Sequence, residues 1–373
     1  MEYTLFNSYK NLPFNEWETL LLEDDFFLSP LCLKIIEEEH KEEITPLYII
    51  IKDEGKVVGI VYAHIFSLNG SKVKDYIDNG NSKFNVLNYF KSASARLLNM
   101  DICFLGNTFL TNEASVRISK EYVNNNNNSI LDGILNTISS KTKARFTIIP
   151  ESCKKRMTLK GNYLEILVEP DMQLEIKNSW LEFNDYLFSI RSKYKKRYRK
   201  VIDKNNEVVK KEMNLEDLVI ESDSMKKLFY NVFNKSKFNA AKFNTDVFYD
   251  LKSKKNNVSI YGYYLKDELI GFASDISINK VLYAHFVGLN YEINQTHEIY
   301  NLMLYEQIDY AIKNKLQSIK FGRTAAEFKS NIGAIPKNDK AYVYHKNKVV
   351  LKILKPILSL LKPKNWTQRN PFK

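Results

Sequence analysis

The sequence predicts an α+β protein with mixed sheets, built from one domain repeated in tandem. Three observations predict it. First, residues 46–66 (PLYIIIKDEGKVVGIVYAHIF) and 258–278 (VSIYGYYLKDELIGFASDISI) read alike. Each is an apolar run, a Lys-Asp-Glu turn, and a second apolar run entered through Gly59 or Gly271, the pattern of a β-hairpin. Second, each hairpin is followed by strand-like and helix-like runs in the same order. Third, 373 residues exceed one ordinary core and suit two.

The elements follow in order. After the first hairpin, Met100–Phe104 reads as a strand, Gly106–Asn107 as a turn and Ser115–Tyr122 as a helix. Asn124–Asn128 reads as a polar turn before a helix at Ile130–Ser140, with strands at Phe146–Pro150 and Tyr163–Glu169. From Trp180 to Asp203, the residues Phe183, Leu187, Ile190, Tyr194, Tyr198 and Val201 recur at helical spacing, which predicts one amphipathic helix. Its other face carries Arg191, Lys193, Lys195, Lys196, Arg197, Arg199 and Lys200. A strand (Val208–Glu212), a partly helical stretch (Leu215–Phe233), the second hairpin and a strand (Val281–Val287) come next. A helix at Glu298–Asn314 precedes strands at Ser318–Phe321 and Tyr342–His345.

In the tail Lys346–Lys364, the residues Lys348, Lys352, Lys355, Ser359 and Lys362 share one helical face. Val350, Ile353, Leu354, Ile357, Leu358 and Leu361 share the other, and Pro356 is expected to kink it. Such a face suits an anionic membrane surface; a helix packed on its own domain is the alternative.

The net charge of +11 favours anionic partners. Cys32, Cys103 and Cys153 lie far apart with no metal-ligand spacing, so neither a disulfide framework nor a structural metal is expected. The reading is cytoplasmic: the first twenty residues do not read as a signal peptide, and no run of 18 apolar residues occurs.

The order hairpin, strand, helix, strand in each half resembles a duplicated acetyltransferase fold of the GNAT type. The stretch SKYKKRYRKVIDKNNEVVKKEMNLEDL is similar to the segment opening the second domain of FemAB-like peptidoglycan-bridge transferases, and KFGRTAAEFKSNIGAIP resembles the same family. The resemblance covers roughly Trp180–Pro336 directly and the first half through the repeat. It implies transfer of an acyl or aminoacyl group to an amine. The donor would be aminoacyl-tRNA or an acyl thioester on CoA or a carrier protein, a co-substrate and not a resident cofactor. One stretch departs from the acetyltransferase pattern. Where a glycine-rich pyrophosphate loop is expected, GLNYEINQTHEIYNL has no glycine after Gly288, so backbone approach to a pyrophosphate is hindered. This puts acetyl-CoA in question and leaves a carrier protein, a tRNA or a differently bound CoA open.

Seven residues are candidates for the site. Lys329, matched by the resemblance, is read as positive charge for an oxyanion or a donor phosphate; a solvated lysine is the alternative. Arg323, after Gly322 at a strand end, suits a carboxylate or phosphate, or else an ion pair with Glu327. Glu327 is read as orienting Lys329 or accepting the amine proton, or as a plain salt-bridge residue. His285, on a strand with Tyr283 and Val287, is a candidate base, and half-burial without a role is its alternative. Phe328 precedes the matched lysine. Tyr300 and His297 are candidate donor contacts; core packing and no role are their alternatives.

These readings place a GNAT-like domain at 1–178, a second at 179–345 and a basic amphipathic tail at 346–373. The working site is expected in the second domain or in a cleft between the two; whether the first keeps its own site stays open. The expected protein is a cytoplasmic N-acyl or aminoacyl transferase of envelope biogenesis that visits the inner membrane face. An aminoacyl-tRNA-dependent peptide-bridge enzyme and a non-catalytic envelope scaffold are the alternatives.

Overall fold

The computed structural model describes residues 1–22, 25–71, 99–109, 115–125, 127–154, 157, 162–235, 241–255, 257–360, 362–363 and 365–373. Leu361 and Lys364 of the tail and Asn126 of the asparagine run lie outside them.

Among the described residues fifteen strands form two mixed sheets. They are β1 (Glu2–Phe6), β2 (Thr45–Asp53), β3 (Lys56–Leu68), β4 (Met100–Phe104), β5 (Val116–Ile118), β6 (Phe146–Pro150), β7 (Tyr163–Leu167), β8 (Asp171–Glu175), β9 (Val209–Glu212), β10 (Val258–Leu265), β11 (Glu268–Ile278), β12 (Val281–Leu289), β13 (Ser318–Gly322), β14 (Ile335–Lys337) and β15 (Lys340–Tyr344). The first sheet runs β1-β2-β3-β4-β6-β15-β7, with β5 also on β3; the second runs β9-β10-β11-β12-β13-β8-β14. Position by position the two orders match. In each, the pair formed by the fourth and fifth strands is parallel (β4–β6 and β12–β13) and every other neighbour is antiparallel. The expected α+β class with a doubled mixed sheet is what the chain adopts.

The duplication extends to single residues. Both hairpins close with a two-residue turn in which both φ angles are positive: Glu54 and Gly55 in one, Lys266 and Asp267 in the other. That geometry matches the right-handed twist of paired strands. Both then slip register at the same place. Ile51 faces Gly59 but Lys52 faces Val57; Tyr263 faces Gly271 but Tyr264 faces Leu269.

The chain folds into two compact units that are not contiguous in sequence. One comprises Met1–Glu169, Lys237–Phe243 and Asn338–Lys364; the other Pro170–Ser236, Asn244–Lys337 and Asn365–Lys373. The sequence reading placed boundaries after residues 178 and 345. Instead β8 joins the second sheet and β15 the first, each filling the sixth position of its order. Local patterning cannot show this, because a short strand reads the same whichever sheet it completes.

Three local expectations are corrected. Ser115–Tyr122 is the strand β5 followed by a helix at Lys120–Asn125, because residues 116–118 pair with β3. The described asparagines of the run, Asn124, Asn125, Asn127 and Asn128, lie in the ends of the helices Lys120–Asn125 and Asn127–Lys141, not in a turn. The amphipathic stretch from Trp180 is two helices, Phe183–Ser189 and Ser192–Lys204. Between them Ile190 is extended and bridges Phe372, and the Arg191 N–H donates to the Pro371 carbonyl at 2.8 Å. A distant segment therefore ends the first helix, although Ile190 and Tyr194 are buried as their spacing requires.

The second unit's core gathers Met303, Ile308, Ala311 and Ile312 of the helix Ile299–Lys313 against Tyr263, Ile270, Leu282 and Ile319 of the sheet. Gly288 faces the opposite packing: a Cβ there would meet Phe272 ring carbons at 2.2 and 2.6 Å and the Leu228 Cβ at 2.9 Å. Gly288→Ala is expected to cost about 1–3 kcal/mol through overpacking. Urea denaturation checks this, and an unchanged midpoint would mean that the helix Ser222–Lys235 shifts freely.

Candidate functional site

The site begins where β12 and β13 part. They pair over three residues only, Val281–Tyr283 with Ser318–Lys320. β13 then enters a turn in which Gly322, Thr324 and Ala325 all have positive φ, at 69°, 65° and 49°. For a β-branched threonine this is an outlier that the surroundings must enforce.

Lys329 enforces it. It lies on the short helix Ala326–Ser330, and its side chain turns back under the loop. Its Nζ donates to the carbonyls of Phe321 (2.7 Å), Gly322 (3.2 Å) and Arg323 (2.7 Å), and the residue is 3% exposed. An ammonium has three donors, and three carbonyls of its own turn receive them. The sequence reading put this charge at an open crevice. In the structure it is the interior support of the turn, because the left-handed residues bring successive carbonyls to one point.

The neighbours pair differently from expectation. The Arg323 guanidinium faces Asp171, with Nε 3.7 Å from Oδ1, not Glu327. Glu327 is taken by Arg369, whose Nη2 and Nε donate to its Oε1 at 2.6 and 3.2 Å. Glu327 therefore holds the C-terminal segment and does not orient Lys329. Phe328 points outward at 47% exposure. Its ring meets Tyr300 edge-on at 6.4 Å, and the Arg197 guanidinium lies 5.9 Å from its centroid. Burial pushes the Tyr300 hydroxyl well above its usual range.

The turn and the helix after it thus bring together Arg323, Glu327, Phe328, Lys329 and Tyr300. The two histidines are placed elsewhere. His285 is the extra residue of a bulge, since Ser274 faces Phe286 and Asp275 faces Ala284. Its Nδ1 lies 3.3 Å from the Ser274 Oγ and its ring packs against Phe286 and Phe248. His297 ends the helix Tyr291–His297, with its Nδ1 2.8 Å from the Thr296 Oγ1.

Beside Phe328 an open pocket of about 220 Å³ is lined by Lys193, Tyr194, Arg197, Glu327, Asn331 and Arg369. Three cations against one carboxylate give its wall a net positive charge. Lys193 and Arg197 belong to the basic helix face visible in the sequence. Arg369 and Asn331 carried no such signal, and Arg369 arrives through residues 365–373. There Trp366 and Phe372 pack into the second unit's core, and the Arg369 N–H donates to the Ser330 Oγ at 3.1 Å.

Where a glycine loop would present bare N–H groups, asparagine side chains occupy them. The Asn290 Oδ1 accepts from the N–H of Glu292 (3.1 Å) and Ile293 (3.3 Å), and the Asn294 Oδ1 accepts from that of Tyr300 (2.9 Å). Another group with no sequence signal is Asp275, inside β11. Burial pushes its carboxyl up to about 7, while the Gln307 Nε2 donates to it at 2.7 Å. Among the described residues no group of three His, Cys, Asp or Glu is placed to hold a metal ion, and no helix is long and apolar enough to cross a membrane.

Comparison with known proteins follows the same lines. The FemAB_like family, described as peptidoglycan biosynthesis/recognition, matches residues 116–364. No curated protein matches the chain. Among solved structures, FemX is similar over 95% of this chain and 100% of its own at 11% identity and a TM-score of 0.50, a likeness of fold. L-PGS from Bacillus licheniformis is similar over 89% of this chain and 96% of its own (8% identity, TM-score 0.45). A GCN5-related N-acetyltransferase from Anabaena variabilis ATCC 29413 is similar over 93% of this chain and 73% of its own (10% identity, TM-score 0.42). With two thirds of its length matched by the family and the doubled mixed sheet in place, the chain belongs to the FemAB-like family.

Proposed function

We propose that this protein transfers an aminoacyl or acyl group to an amine on a phosphate-bearing precursor of the cell envelope. The observation that carries the reading is the cationic pocket of Lys193, Arg197 and Arg369 beside the exposed Phe328 ring. Guanidinium and ammonium groups on one wall suit phosphate, and an aromatic ring beside them suits a planar or aliphatic part of the same molecule. Membership of a family described by peptidoglycan biosynthesis supports the envelope assignment.

Attack of an amine on an activated ester or thioester needs no covalent enzyme intermediate. It needs both substrates held, and charge near the developing oxyanion. In this reading Arg197, Lys193 and Arg369 hold phosphate, Phe328 and Tyr300 shape the wall, and Lys329 fixes the turn that carries Phe328. The capped N–H groups around Asn290 and Asn294 favour a donor other than a pyrophosphate lying on a helix N-terminus. An aminoacyl-tRNA fits that requirement. The exposed Arg191, Lys193, Lys196, Arg199 and Lys200 on the helix Ser192–Lys204 and the residue before it would track its backbone.

Incubation with aminoacyl-tRNA and acyl-thioester pools, followed by mass spectrometry of the products, tests the reaction. A lack of turnover in every pool would favour a scaffold. Arg197→Ala is expected to raise KM for the phosphate-bearing substrate about 10–100-fold with kcat nearly unchanged, the loss of one charge-assisted contact. An unaltered KM would remove the pocket from the site.

A further inference from the structure

The helix Lys348–Leu358 is not accounted for by the site above. It belongs to the first unit and packs there through Leu351, which is buried, and through Val350, Leu354 and Leu358, against Phe146 and Val343. Val350, Leu354 and Leu358 of the face that the sequence reading reserved for lipid are therefore already covered by protein. Beside them an apolar row points outward, made of Ile353 of that face and of Val349. Val349 is 59% exposed and Ile353 is 67% exposed, and the exposed Pro356 continues the row one turn on. Exposed lysines flank it at positions 346, 348, 352 and 355, and no Asp or Glu occurs after Asp339.

We infer that this outward face docks the protein on an anionic lipid bilayer, with Val349 and Ile353 entering the interface and the lysines engaging acidic headgroups. The chemistry commits to that occupant. Two aliphatic side chains fall well short of what a stable protein–protein contact buries, and four lysines in a segment that carries no carboxylate repel a second copy of the same face. A bilayer meets both features: its interface accepts isolated aliphatic groups and its acidic headgroups offer a dense counter-charge. The helix itself stays folded on its sheet, so this is contact by a surface and not insertion of a tail. Docking of this kind does not depend on the transferase activity.

The test is co-sedimentation of the full chain with vesicles of phosphatidylcholine alone and of phosphatidylcholine mixed with phosphatidylglycerol. Pelleting is expected with the mixed vesicles only, and is expected to fall as salt rises. Lys348→Gln/Lys352→Gln/Lys355→Gln should weaken the partition coefficient about 100-fold, roughly fivefold per lysine near an acidic surface. Val349→Ser/Ile353→Ser should weaken it by at least about tenfold. All five positions are exposed, so thermal unfolding should be unchanged and serves as the control. Equal partition of wild type and the triple variant would overturn the inference. So would sedimentation velocity showing a dimer of the free protein that Val349→Ser/Ile353→Ser dissolves, since the row would then be a contact between copies.

Discussion

Lys329→Ala is expected to destabilise the second unit by about 3–5 kcal/mol, the usual cost of removing one partner from a buried charged interaction. Three inward-facing carbonyls lose their common donor, and the left-handed residues Thr324 and Ala325 lose what holds them. Lys329→Met keeps most of the packing volume and should recover part of the loss, leaving the hydrogen-bonding share. Urea unfolding of both variants, followed beside turnover, separates two roles. If both variants unfold at the wild-type midpoint yet transfer no group, the ammonium acts on substrate and does not support the turn. If stability and activity fall together while Arg197→Ala changes only KM, the turn is a scaffold for Phe328.

The first unit is expected to lose stability steeply below pH 6.5. His40 and His64 are buried and stack around Phe109. Burial holds their imidazoles down, to about 4 and about 3; a backbone bond to Ile36 opposes the shift in His40, and the nearness of His40 deepens it in His64. The unfolded chain takes up protons near 6.5 and the folded chain does not. Stability from each group is therefore complete above 6.5 and drains away as pH falls towards the folded values. By pH 4 the loss is on the order of 3 kcal/mol for each histidine. Hydrogen exchange over β2 and β3 as a function of pH measures it. His64→Phe, which suits the surrounding rings, should flatten the slope by about 1.4 kcal/mol per pH unit. A variant with the wild-type slope would show that some other group titrates. Asp275 in the second unit works in the opposite sense: with its folded value raised to about 7, its contribution is complete below the unfolded carboxylate value of about 4, drains away as pH rises and is gone above 7.

Much of the fold was legible because hairpins are local objects. Lys-Asp-Glu between alternating apolar runs specified both turns, and the repeat of the motif anticipated two sheets of one design. The stripe Phe183–Val201 correctly gave the buried face of the two helices it spans, but not the break at Ile190. That break comes from a bridge to Phe372, 182 residues away, which no periodicity contains. Val116–Ile118 failed for the same reason: three residues too few to show alternation became a strand because β3 had an open edge.

At the site, the sequence selected the segment correctly and assigned its chemistry less well. Arg323 through Lys329 do cluster after a strand end, with Tyr300 against Phe328. Pairings between residues in one short segment looked natural, yet Glu327 went to Arg369 and Arg323 to Asp171, partners 42 and 152 residues distant.

Residue pattern alone, then, determined the class of fold, its duplication, the amphipathic faces and the cationic character of the helix Ser192–Lys204. These depend on spacing and charge within a few turns of chain. Tertiary structure decided which sheet received β8 and β15, which carboxylate met which guanidinium, and which way Lys329 pointed. An ammonium finds its lowest free energy wherever acceptors replace lost water, and where those acceptors lie is fixed only when the backbone has closed around it.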